Sequence, residues 1–175
     1  MPTKGLAYWV HQSEVFVSAD HDGCGLASIR VEFHGELARI PSLKNSKLPG
    51  RNFVNPDVLQ RLKAMETLYH HGAEIYKKKG LAFGDREVVG VLVCPKRKVR
   101  FDLDNCAASI KDWCEPPTKR MRGWGVGLVN DDSRLNVLAV RAEHVGLEIN
   151  YSLLVLRRWS DVSRSFRQWF SAFTN

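Results

Sequence analysis

The stretch from Glu87 to Pro95 (Glu-Val-Val-Gly-Val-Leu-Val-Cys-Pro) constrains the fold of this chain more than any other. An apolar run this short, bounded by a charge and a proline, is read as a central strand of a sheet. Other segments supply its neighbours. Ile29-Arg30-Val31-Glu32-Phe33-His34 alternates with period two and predicts a half-buried strand. Arg134–Ala142 and Leu147–Leu156 predict two more, joined at His144-Val145-Gly146 as an antiparallel pair.

Helical spacing fills the gaps between them. Asn55 as cap and Pro56 in the first turn open a helix carrying Leu59, Leu62, Met65, Leu68, Tyr69 and Ile75, closed by Lys77-Lys78-Lys79-Gly80. Residues 105–115 predict a second helix stopped by Pro116-Pro117. From Ser160 an amphipathic pattern of Val162, Phe166, Trp169, Phe170 and Phe173 predicts a third, whose apolar stripe must dock on the core or on a partner. The order strand, helix, strand, helix, hairpin, helix gives an α+β fold with a mixed sheet. We divide the chain into an N-terminal arm (1–27), a main domain (28–157) and a C-terminal amphipathic helix (158–175).

Composition narrows the class. With 175 residues, 44% of them hydrophobic, the chain supports one core and is not disordered. No apolar run is long enough to span a bilayer and the N-terminus lacks a secretory apolar core, which predicts a cytoplasmic protein. Cys24, Cys94, Cys106 and Cys114 lack the spacing of a disulfide scaffold or a zinc site and are expected as reduced core thiols. His21-Asp22-Gly23-Cys24 reads as a turn. A net charge of +7 points to a polyanionic partner. The basic residues gather at Lys44 and Lys47, with Asn45 between them in a polar loop, at Lys96, Arg97, Lys98 and Arg100, and at Lys119, Arg120 and Arg122.

Against that positive background stand two acidic motifs, Asp102-Leu103-Asp104-Asn105 and Asn130-Asp131-Asp132. Crowded carboxylates repel one another, so a fold that gathers them commonly does so around a divalent cation. Asp102 and Asp104, two residues apart on an extended segment, point the same way and can share an ion. A helix cap is the competing role for Asn105 or Asp104, whereas Asp102 lies too far upstream to cap a helix beginning at 105. Taken alone, Asp131-Asp132 is a turn before a strand; combined with the first motif it supplies a further carboxylate. Lys111, two turns after Asp104, can balance the acidic group or touch phosphate. Mg²⁺ held by such carboxylates supplies what phosphodiester hydrolysis requires, an activated water and neutralised oxygens.

These motifs resemble the RusA family of Holliday junction resolvases, including its phage and prophage relatives. The resemblance rests on Asp102-Leu103-Asp104-Asn105, on Asp112, on Asp131-Asp132 before a strand, and on Gly35 with the loop Pro41-Ser42-Leu43-Lys44-Asn45-Ser46. It covers residues 28–157. It implies a Mg²⁺-dependent endodeoxyribonuclease that nicks four-way DNA junctions symmetrically, in a bacterial or phage-infected cell and associated with the nucleoid. The implied metal-binding catalytic carboxylates are Asp102, Asp104 and Asp132, with Asp131 beside them, and the basic residues named above would bind DNA. A homodimer is implied too, and two C2-related sites match a junction's symmetry. No small-molecule cofactor and no membrane partner are expected. The family's Lys one turn after the second Asp is replaced by Ala108, leaving Lys111 as its substitute.

That departure also supports a different class, a junction or duplex binder with weak or no hydrolysis. A nuclease of the restriction-endonuclease-like fold is disfavoured, since no Glu-x-Lys or Asp-x-Lys occurs in the chain.

Overall fold

The computed structural model describes residues 4–42, 55–96, 102–117, 125–162 and 168. Five strands form one mixed sheet: β1 (Ser13–Asp22), β2 (Gly25–Gly35), β3 (Val88–Cys94), β4 (Leu135–Arg141) and β5 (Ser152–Arg158), in the order β1-β2-β5-β3-β4. Among the described residues, these helices accompany them: α1 (Leu6–His11), α2 (Pro56–Gly72) and α3 (Leu103–Cys114). The α+β class expected from the pattern is therefore present.

The apolar run behaves as its composition requires. β3 lies between β5, antiparallel to it, and β4, parallel to it. Parallel neighbours need a long return connection, and α3 is part of that crossover. This overturns the expected hairpin of the last two strands. β4 and β5 are not partners, because β3 is inserted between them. Alternating apolar residues tell a strand which face to bury, and say nothing about which strand it pairs with.

Residues from all three helices join those of one sheet face in a single core. Leu62, Met65 and Tyr69 of α2 and Cys106, Ile110 and Trp113 of α3 share it with Ile29, Val31, Phe33, Leu92, Leu154 and Leu156. Trp113 is its hub. Its ring meets Phe33 and Tyr69 edge-on, with centroids 5.4 Å and 5.3 Å away. Such aromatic pairs contribute about 0.5–1.5 kcal/mol each beyond the area they bury.

The start of α2 follows its sequence: Pro56 sits in the first turn and the Asn55 side chain accepts a hydrogen bond from the Asp57 N–H. Its end does not. The helix stops at Gly72, before the lysine run, and a short 3₁₀ turn (Glu74–Tyr76) follows. A Cβ on Gly72 would lie 2.8 Å from the Val15 carbonyl oxygen, so the close approach of α2 to β1 requires glycine. Ile75, assigned to the apolar stripe, is consequently 80% exposed.

Residues 13–22 are an outer strand of the main sheet, and the boundary drawn between residues 27 and 28 falls inside β2. Asp22 accepts a hydrogen bond from the Cys24 N–H, the turn expected there. The same carboxylate pairs with Arg158, which also bonds Asp161, tying the β1–β2 turn to the end of β5. Arg158 holds the Asp22 carboxyl below its ordinary range. Cys94, Cys106 and Cys114 are buried as expected, whereas Cys24 is exposed on the turn. The amphipathic pattern that ends the chain lies, from residue 163 on and apart from Gln168, outside the described residues. No described helix is long and apolar enough to cross a membrane.

Candidate metal centre

α3 begins at Leu103, earlier than its apolar pattern suggested, and that shift changes the meaning of the first acidic motif. Asp102 becomes the N-cap. One of its oxygens accepts the backbone N–H groups of Asp104 (3.1 Å) and Asn105 (3.2 Å), and the other accepts the Asn105 side-chain amide at 2.6 Å. The expectation that Asp102 lies too far upstream to cap is thus corrected. Asp104 is exposed in the first turn, where the helix dipole favours negative charge.

The second motif lies at the other end of the helix. After Pro116-Pro117 the chain returns to α3 at Gly125, where a Cβ would lie 2.4 Å from the Glu115 carbonyl oxygen. The N–H groups of Val126, Gly127 and Leu128 then donate to the carbonyls of Trp113 (2.9 Å), Glu115 (3.0 Å) and Cys114 (2.7 Å). These are carbonyls that the end of a helix leaves without intrahelical donors. On its other side the segment is held by Phe83 N–H to the Leu128 carbonyl (2.7 Å) and by the Asn130 side-chain amide to Asp85 (2.8 Å). A segment pinned this way delivers Asp131 and Asp132 beside Glu115.

There the three carboxylates converge. Glu115, Asp131 and Asp132 each offer an oxygen within 4.8 Å of the others, a group able to hold a metal ion. The Asp132 N–H donates to Glu115 Oε1 at 2.9 Å, and the Ser133 N–H donates to Asp131 Oδ1 at 2.8 Å. Hydrogen bonds from the Ser133 side chain and backbone N–H, aided by the charges of Arg134 and Lys111, hold the Asp131 carboxyl below its usual range.

The structure does not gather the carboxylates as the sequence led us to expect. Asp132 sits at the C-terminal end of α3 and Asp102 and Asp104 at its N-terminal end, separated by a helix of 12 residues, about 18 Å long. The expected single group of Asp102, Asp104, Asp131 and Asp132 is therefore split within the chain. Lys111, half-buried, acts on Asp131, the second cluster. Glu115 was missed. Its signal was available: it follows Lys111 by one helical turn, so both face the place where the Asp131-Asp132 turn returns.

Of the residues expected to bind DNA, Lys96 is exposed at the end of β3. Lys44, Asn45, Lys47, Arg97, Lys98, Arg100, Lys119, Arg120 and Arg122 lie outside the described residues. No family model and no curated protein matches the chain.

Proposed function

We propose that this protein is a Mg²⁺-dependent structure-selective endodeoxyribonuclease that resolves four-way DNA junctions by paired nicks, acting as a homodimer in the cytoplasm. One observation carries the reading: three carboxylates at metal-holding distance in a chain of net charge +7. An all-oxygen donor set suits a hard cation such as Mg²⁺ over softer metals. Glu115, Asp131 and Asp132 would hold it.

When bound, the ion supplies an acidified water and charge neutralisation at the scissile phosphate. The chain's own groups do the rest. Asp131 stays ionised, Glu115 is oriented by the Asp132 N–H, and Lys111 and Arg134 bring positive charge to the cluster's edge. Phosphate attraction from the basic surround would make junction affinity fall steeply with salt.

The test is cleavage of a labelled four-way junction with and without Mg²⁺, comparing the wild type with Glu115→Gln and Asp132→Asn. Nicks that require Mg²⁺ and vanish in both variants support the reading; nicking at the wild-type rate in both variants overturns the site. A second reading is favoured by Ala108 and by the commitment of Asp102 to capping. The protein would then bind junctions without cutting them, and sustained binding with no nicks across a wide protein range would select that outcome.

A further inference from the structure

The two faces of the sheet are dressed differently. α1, α2 and α3 contribute to a core shared with Ile29, Val31, Phe33, Leu92, Leu154 and Leu156 on one face, while the alternate residues Val89, Val91 and Val155 point to the other. That second face is aliphatic where β5, β3 and β4 meet. Val91 pairs with Val155 on one side and with Leu138 on the other, and Leu138 is 48% exposed. A groove of about 320 Å³ runs over it, lined by Val89, Val91, Val155 and Val162 with Arg157 and Asp161 beside them. Val162, the last residue described before Gln168, is part of that lining.

The sequence beyond Val162 fits what the groove lacks. Phe166, Trp169, Phe170 and Phe173 recur at the helical period in line with Val162. Gln168, the described residue in this stretch, is helical and exposed. At about 100° per residue it falls on the side opposite that aromatic stripe. A helix over residues 163–175 is about 20 Å long, comparable to five strands spaced roughly 4.8 Å apart. We propose that this C-terminal segment lies across the second sheet face of its own chain, its aromatic stripe on Val89, Val91 and Val155, and completes a three-layer domain.

A photoreactive benzophenone side chain placed at Phe170 in the full-length protein tests this directly. On illumination the cross-link should join the C-terminal peptide to β3 or β5 within one chain, migrating as a monomer. A cross-linked dimer would assign the segment to a second copy. Cross-links to α2 or α3, or none, would equally overturn the proposal. As an independent measure, Phe166→Ser with Phe170→Ser should raise the emission of an apolar-surface dye several-fold with the helical content of the other layer retained. An unchanged dye signal counts against the segment covering this face.

Discussion

The two ends of α3 carry the same kind of side chain against opposite backbone fields. At the N-terminal end, Asp102 and Asp104 meet free N–H groups and the positive pole of the helix, so their charge is stabilised by the fold itself. At the C-terminal end, Glu115, Asp131 and Asp132 meet the negative pole and one another. Hydrogen bonds from Ser133 and the charges of Arg134 and Lys111 stabilise Asp131 there. Acid at the first end has a structural reason to be there. At the second, three carboxylates from two segments converge, and that difference separates a cap from a candidate metal centre although both read as Asp-rich motifs.

Breaking the helix between the two ends is expected to have the largest effect. Trp113→Ala removes the hub that fixes α3 to Phe33 and Tyr69, and should cost about 3–5 kcal/mol in denaturant unfolding. Next comes the charge at the C-terminal end. Asp132→Asn should lower Mg²⁺-dependent junction cleavage by about 10²–10³-fold, the scale for losing one group that stabilises developing charge. Asp102→Asn, which preserves a capping side chain, should stay within a few-fold of wild type. Equal loss in both variants would mean that the N-terminal acids reach the reacting phosphate after all.

The cap itself predicts a smaller effect. Asp102→Ala should destabilise the fold by about 1 kcal/mol, lowering Tm by about 2–4 °C for a chain this size. Asp102→Asn should leave Tm within a degree or so of the wild type, since Asn caps as well as Asp. The smallest effect concerns Lys111. Asp131 has a depressed pKa in the folded state, so its contribution to stability is present above the unfolded carboxyl value and is lost as pH falls through the lower folded one. Lys111→Met removes one of the charges responsible and should move the Asp131 midpoint upward in a carboxyl NMR titration. An unmoved midpoint would detach Lys111 from the cluster.

What was legible in the sequence was local. β3 announced itself as an unbroken apolar run, α2 through Asn55-Pro56, and the end of α3 through Pro116-Pro117, because each signal is written within a few residues. Partnership was not. Arg134–Ala142 and Leu147–Leu156 alternate well enough to be strands, yet the sheet separates them, and nothing in either segment encodes the strand that intervenes. The site failed for a related reason. Starting α3 at Leu103 turned Asp102 into a cap, while Glu115 acquired its neighbours only through the path of residues 125–132 back to the helix. Two acidic motifs close in composition read as one centre, and the length of the helix between them is the quantity that neither motif carries.

The position of β5 has a consequence for how the molecule is made. It occupies the middle of the sheet, yet its pairing of Arg157 with Ser28 joins residues far apart in the chain. Until the ribosome has released residues 152–158, the β1–β2 ribbon and the β3–β4 pair are separate pieces, each with an open edge that β5 will later fill. Contacts of such long sequence separation slow folding and lengthen exposure of those edges. Nascent chains should accordingly be captured by chaperones up to the synthesis of that last strand and released soon after it.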